Sequence, residues 1–136
     1  MYKAILFDLD GTLTESGEGI TKCVQYALEK LGKPEENLKK LEVFIGPPLK
    51  EQFMKYAGLD EETAVKAVKY YRERYSNVGI FENKPYPGVE NMLQELKRKK
   101  YILAVASSKP EDYVKQILDH FHLTEYFDEI VGSEMN

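Results

Sequence analysis

The chain has 136 residues, a length that suits one ordinary domain or a small domain with an insertion and excludes two full-sized domains. With 43% hydrophobic and 31% charged residues, its composition is that of a globular protein and excludes disordered and low-complexity architectures. Its 19 basic and 23 acidic residues give a net charge of -4, so neither a nucleic acid nor an anionic membrane is an expected partner.

Cysteine usage and the N-terminal sequence predict a cytoplasmic protein. The single Cys23 cannot form an internal disulfide and lacks the paired spacing of a zinc site. The N-terminal sequence has two aspartates where a secretory signal would continue its apolar run. No apolar stretch approaches the roughly 20 residues that span a bilayer.

The first half of the chain predicts one strand followed by helices. Residues 4–7 form a short apolar run that stops at a polar loop, which is typical of a buried parallel strand. Apolar residues then recur every three or four positions, and between residues 17 and 79 no alternating strand pattern occurs. This spacing predicts three amphipathic helices, at 19–31, 47–58 and 60–79.

Strand patterns return in the second half and predict the fold class. A helix that starts at Pro87 is followed by an apolar run at 101–106, a further helix after Pro110 and a short strand at 127–132. Strands that alternate with helices indicate a parallel α/β sheet with right-handed crossovers. The sequence therefore predicts an α/β core of residues 1–14 and 83–136, with an all-helical cap of residues 15–82 inserted after the first strand.

Two carboxylates follow the first predicted strand. Asp8 and Asp10 stand where an open α/β sheet binds its ligands, at the carboxyl ends of the strands. If the backbone bends there, one carboxylate can act as a nucleophile and the other as a general acid and base. Their mutual repulsion favours a divalent cation, and oxygen ligands favour Mg²⁺ bound by Asp8 and Asp10. The alternative is that both aspartates only form a turn.

The residues around these carboxylates suit a phosphate group. Gly11 allows backbone N–H groups to approach an anion closely, and Thr12 adds a hydroxyl. Ser107 and Ser108 follow the apolar run of the second core strand and offer hydroxyls of the kind that bind phosphate oxygens. We therefore predict phosphate binding by these four residues.

The segment Asp8-Leu9-Asp10-Gly11-Thr12, with Ala106-Ser107-Ser108-Lys109-Pro110, resembles the haloacid dehalogenase superfamily of phosphatases. Phe44-Ile45-Gly46-Pro47-Pro48-Leu49 and Tyr86-Pro87-Gly88-Val89 are similar to its phosphoglycolate phosphatase-like branch, which includes proteins named 5'-nucleotidase. The resemblance implies a doubly wound, Rossmann-like parallel sheet. It also implies a small phosphorylated metabolite as the partner, either phosphoglycolate-like or a nucleoside monophosphate.

The same resemblance implies a mechanism. Asp8 would attack the phosphoryl group to give an aspartyl-phosphate, and Asp10 would protonate the leaving alcohol and then deprotonate water. Ser107 would bind the transferring phosphoryl group, while Mg²⁺ would contact the Asp8 carboxylate and the Asp10 backbone carbonyl. Three cap residues would shape the entry to the pocket: Phe44, Gly46 and Pro47.

The sequence departs from the family pattern in two ways. Glu15 replaces an aspartate that is frequent there, and the family's third-motif lysine and fourth-motif acidic pair are expected only after the strand that ends near Val131. The C-terminal part of the sheet is thus expected to be absent, which leaves the first strand at an edge and predicts self-association. Lys109 is interpreted as a solvated residue.

Three alternatives to a phosphatase stay open at this stage. The chain could be a catalytically incomplete phosphate-binding or regulatory protein, or a truncated fragment of a phosphatase. A phosphotransferase that shares the aspartyl-phosphate step is the third.

Overall fold

The structure is a computed structural model that describes residues 3–134. The chain divides into two compact units. The first, here called the α/β unit, consists of Met1–Glu15 and Lys84–Asn136, and the second, here called the helical unit, is Ser16–Asn83. None of the helices in the described residues is long and apolar enough to cross a membrane.

The described residues form ten strands and α-helices. In chain order they are β1 (Ala4–Phe7), β2 (Thr14–Glu15), α1 (Gly17–Lys30), α2 (Leu49–Tyr56), α3 (Glu61–Tyr75), β3 (Lys84–Pro85), α4 (Val89–Arg98), β4 (Ile102–Pro110), α5 (Glu111–His120) and β5 (Glu129–Ser133). Three 3₁₀ segments lie between them, at Leu38–Phe44, Gly79–Phe81 and Thr124–Tyr126.

The α/β unit contains a three-stranded parallel sheet in the order β1-β4-β5. Phe7 pairs with Val105 in one ladder, and Val105 pairs with Ile130 in the other. This confirms the predicted α/β class with a parallel sheet. A second, antiparallel pair joins β2 to β3 and was not predicted, because two-residue strands carry no alternation that a sequence pattern can detect.

Strand β4 is longer than its apolar run. The run ends at Ala106, but the strand continues to Pro110 because its pairing with β5 resumes at Pro110 and Ser133 after an irregularity. The prediction of a strand at 101–106 was therefore wrong at its C-terminal end. The extension carries Ser107, Ser108 and Lys109 into the sheet.

The two faces of the sheet differ in burial. Side chains of a strand alternate between the two faces, so Leu103 and Val105, which are both fully buried, share one face. On the opposite face the side chains of Leu6, Ile102 and Val131 are 70%, 41% and 45% exposed. Within the described residues, β1 also pairs only with β4 and forms an edge of the sheet.

We propose that the edge and the exposed face of β1 mediate self-association of the chain. A strand with one open edge beside apolar side chains is a template for a second copy. Leu6→Asp should therefore shift sedimentation at micromolar concentration from a dimer to a monomer. Val65→Asp, on an exposed position of α3, is the matched control and should stay associated. A wild-type chain that sediments as a monodisperse monomer would contradict the proposal.

The helical unit is built on α1 packed against α3, with α2 also packed against α3. Asp60 is the N-cap of α3, and its side chain accepts the Thr63 N–H at 2.8 Å. The predicted helices at 47–58 and 60–79 are shorter in the structure. Helix α3 stops at Tyr75, and Gly79 then lies so close to α1 that a Cβ atom there would be 2.4 Å from Cys23 Sγ.

An ion pair joins α3 to the C-terminal end of the helical unit. Arg74 donates to Glu82 over 2.6 Å, and both side chains are largely buried. The guanidinium hydrogen bond holds the pKa of the Glu82 carboxyl below its ordinary value of 4.5. A lowered pKa stabilises the ionised folded state, so the contribution is complete above the unfolded pKa and is lost as pH falls through the folded one.

We expect Glu82→Gln to lower the free energy of unfolding at pH 7 by about 1.5–3 kcal/mol, the range for hydrogen bonds to charged groups. The difference from wild type should shrink as pH falls below about 4.5 in urea titrations followed by circular dichroism. Glu61→Gln is the matched control, because Glu61 pairs with Lys50 at an exposed position and its loss should destabilise the chain much less. Equal losses in the two variants would contradict this prediction.

Candidate active site

The loop after β1 is a tight turn that begins at Asp8. The carbonyl of Leu9 accepts the N–H groups of Thr12, Leu13 and Thr14 at 3.0–3.2 Å. Leu9 and Leu13 are fully buried and anchor this turn, while Gly11 lies at its exposed tip with φ +81°. The chain therefore bends directly after the strand, as a convergence of Asp8 and Asp10 requires.

Asp8 is exposed at the carboxyl end of β1. Its Oδ1 accepts the N–H of Leu9 over 2.8 Å, so the carboxylate is held by the first amide of the turn. The side chain is thus fixed by its own loop and accessible to a ligand. An accessible carboxylate of this kind can act as a nucleophile.

Asp10 lies two residues further on, and its side chain is buried. Its Oδ1 is 3.3 Å from Lys109 Nζ, and both side chains are only 6% exposed. The interpretation of Lys109 as a solvated residue was therefore wrong. Lys109 lies in the extended part of β4, and the apolar run that defined this strand in the sequence gave no sign of its burial.

Ser107 and Ser108 lie on β4, which is the immediate neighbour of β1 in the sheet. Because the two strands are parallel, their carboxyl ends meet at one edge, where Asp8 also lies. Ser107 Oγ accepts the N–H of Lys109 over 3.1 Å, and Ser108 is exposed. Thr12 is exposed in the turn after β1. The assignment of these residues to phosphate binding stays a prediction.

The three predicted cap residues lie in the helical unit. Phe44 is 3% exposed, and its ring packs 4.9 Å from that of Phe53. Gly46 has φ +102°, a left-handed conformation that favours glycine, and Pro47 is exposed. Phe44 thus contributes to the core of its own unit, and the role of the three residues in substrate entry stays a prediction.

The oxygen donors after β1 fit a magnesium ion. Mg²⁺ is commonly held by one or two protein oxygens, with water and a substrate phosphate completing the shell. The exposed Asp8 carboxylate is one such donor. The Asp10 carboxylate is paired with Lys109, so the backbone carbonyl of Asp10 is the better donor to a magnesium ion. Within residues 3–134 no three or more His, Cys, Asp and Glu side chains cluster as a metal site.

The end of β4 is held against β5 and α5. A Cβ atom at Gly132 would lie 2.5 Å from Glu111 Cα and 2.7 Å from the Lys109 carbonyl oxygen. The N–H of Gly132 donates to Glu111 Oε1 over 3.3 Å, and this bond, with the Lys115 ammonium, lowers the pKa of the Glu111 carboxyl. These contacts fix the backbone from which Lys109 extends.

The comparisons with known proteins agree on one family. The sequence profile of the family described as haloacid dehalogenase-like hydrolase matches residues 5–135. A 5'-nucleotidase of Pseudomonas aeruginosa is 47% identical over 99% of this chain, and a phosphoglycolate phosphatase of Aquifex aeolicus is 36% identical over 97%. The chain spans 61% of each of these two relatives.

A solved structure, described as that of a predicted phosphatase from Clostridium acetobutylicum, has the same fold. It is 54% identical to this chain and superposes with a TM-score of 0.96. The superposition covers 98% of this chain and 62% of the other.

Proposed function

Because the chain belongs to the haloacid dehalogenase-like hydrolase family, we propose that it hydrolyses small phosphate monoesters through a phosphorylated Asp8. The observation that carries this proposal is the arrangement after β1. An exposed carboxylate, Asp8, stands two residues from a buried one, Asp10, which is paired with Lys109. Two carboxylates in such different environments can take different chemical roles.

In the first step, an oxygen of Asp8 attacks the phosphorus atom of the ester. The bond from phosphorus to the ester oxygen breaks, and its electron pair stays on that oxygen. Asp10 supplies the proton that converts the leaving group to a neutral alcohol. The product is a mixed anhydride between Asp8 and phosphate.

In the second step, water attacks the same phosphorus atom. Asp10, now deprotonated, takes a proton from this water, and the bond from phosphorus to Asp8 breaks. Inorganic phosphate leaves and both carboxyl groups return to their starting states. A carboxylate nucleophile divides one difficult hydrolysis into two in-line transfers.

The remaining residues of the edge bind the transferring group. Backbone N–H groups around Gly11 and the hydroxyls of Thr12, Ser107 and Ser108 would bind phosphoryl oxygens, and preorganised donors of this kind stabilise developing charge. Mg²⁺, bound by the Asp8 carboxylate and the Asp10 carbonyl, would neutralise part of the phosphoryl charge. The names of the two curated relatives support phosphoglycolate-like esters and nucleoside monophosphates as the substrate class.

The test is a phosphate-release assay on the chain with phosphoglycolate, a nucleoside monophosphate and p-nitrophenyl phosphate, with Mg²⁺ and after its removal by a chelator. We expect turnover that depends on Mg²⁺ and is higher for one of the natural ester classes than for the other. Binding of inorganic phosphate without turnover would support a phosphate-binding or regulatory protein instead. Transfer to an added alcohol in preference to water would support a phosphotransferase.

A further inference from the structure

Lys109 is the one buried lysine in the described residues, and its burial demands an explanation. A lysine side chain rarely becomes fully buried unless its charge is paired. Here the ammonium lies 3.3 Å from Asp10 Oδ1, and the two side chains share an environment that is almost closed to solvent. The pair is therefore a specific contact and not a surface ion pair.

The backbone holds Lys109 in place independently of its side chain. Its N–H donates to Ser107 Oγ over 3.1 Å, and its carbonyl lies against Gly132 of β5. The adjacent pairing of Pro110 with Ser133 ties this end of β4 to the sheet. Asp10 lies in the turn after β1 and Lys109 in β4, so the contact joins two separate backbone segments of the α/β unit.

We propose that Lys109 is a positioning residue for Asp10, holding its carboxyl group in the orientation in which it exchanges a proton with the leaving-group oxygen. This proposal rests on the proposed phosphatase function for its kinetic consequences. The ammonium can donate to Oδ1 whether the carboxyl group is ionised or protonated, so one contact serves both steps.

Orientation matters because proton transfer needs a short and aligned contact. A general acid or base acts only when it is within hydrogen-bond reach of the oxygen that it protonates. Removal of the lysine takes away one restraint on the Asp10 side chain, which can then populate other staggered rotamers. The chemical result is a slower first transfer from esters whose leaving oxygen must be protonated, with little effect on the first transfer from esters whose leaving group departs as a stable anion.

The kinetic test uses Lys109→Met, which preserves the length and apolar stem of the side chain and removes the ammonium. We expect kcat for an alkyl phosphate to fall about 10- to 100-fold, at most the lower end of the ~10²–10⁴ that a positioned general acid contributes. For p-nitrophenyl phosphate, whose phenolate needs little protonation, we expect the first transfer, measured as the burst of p-nitrophenol, to slow by less than about threefold, while the steady state slows because Asp10 must still deprotonate water. Lys109→Arg should recover part of the alkyl ester rate, and Lys99→Met, at an exposed helix end, is the matched control.

A double-mutant cycle with Asp10→Asn separates positioning from general destabilisation. If Lys109 acts through Asp10, then Lys109→Met should change the ratio of the alkyl to the aryl rate of the first transfer in wild type but not in the Asp10→Asn background. Equal slowing of the first transfer for both esters, or an unchanged ratio in wild type, would overturn the proposal. Failure of the phosphatase function itself would appear differently, as no turnover of either ester by the wild-type chain, or as aryl phosphate turnover that survives Asp8→Asn.

A crystallographic comparison tests the proposal without any turnover. In the wild-type chain, Lys109 Nζ should contact Asp10, and in Lys109→Met the Asp10 side chain should change rotamer or occupy several. An Asp10 carboxyl group that keeps its position in the variant would overturn the positioning role. If Lys109→Met does not fold, the same comparison can be made with Lys109→Gln.

Discussion

Replacement of Asp8 by asparagine is expected to abolish phosphate release. The amide is a poor nucleophile and a poor ligand for Mg²⁺, whereas its shape matches that of the carboxylate, so the turn after β1 should form normally. The Leu9 N–H can still donate to the amide oxygen at position 8, as it does to Asp8 Oδ1 over 2.8 Å. The measurement is kcat with p-nitrophenyl phosphate and Mg²⁺, together with thermal unfolding.

Asp112→Asn is the matched control for this change, since Asp112 is exposed in the first turn of α5, outside the proposed machinery. It should retain the wild-type rate. Mg²⁺-dependent turnover that persists in a folded Asp8→Asn variant would remove Asp8 from the mechanism.

Replacement of Asp10 by asparagine is expected to slow alkyl phosphate hydrolysis by about 10²–10⁴-fold, as for other general acids and bases. The effect should differ between the two steps. Protonation matters less when p-nitrophenolate leaves, but deprotonation of the attacking water is needed for every ester. With p-nitrophenyl phosphate we therefore expect a burst of p-nitrophenol followed by a slow steady state.

Rapid-mixing measurement of p-nitrophenol release by the Asp10→Asn variant checks this expectation. The wild-type chain is the reference, and the amplitude of the burst should approach one equivalent per chain. An alkyl phosphate rate equal to that of wild type would contradict the assignment of Asp10 as acid and base.

Sequence patterns predicted those parts of the fold that depend on long apolar runs. Strands β1 and β4 and the amphipathic helices follow from apolar runs and from helical periodicity. The expected burial of β1 was wrong, because each of its four residues is exposed or only partly buried. The position of Asp8 followed from the same information, because parallel strands bring their carboxyl ends to one edge. The local sequence is therefore enough to predict that Asp8 lies at the carboxyl end of an apolar strand.

The features that the sequence did not predict depend on contacts between distant segments. Lys109 is buried because β4 continues beyond its apolar run and pairs with β5, which no local pattern indicates. The two-residue strands β2 and β3 pair across 70 residues of sequence. The 3₁₀ segment at 38–44 has apolar residues three apart, at Leu38, Leu41 and Phe44. An α-helix also places apolar residues three apart, so this spacing does not distinguish the two kinds of helix.

The most direct test of the account is the identity of the phosphorylated residue during turnover. The chain would be mixed with p-nitrophenyl phosphate and Mg²⁺, quenched in acid, digested and analysed by peptide mass spectrometry, with Asp10→Asn used to slow loss of the phosphoryl group. The account predicts a phosphoryl group on Asp8 that is absent from Asp8→Asn. A phosphoryl group on another residue, or turnover with no phosphorylated peptide in either protein, would contradict it.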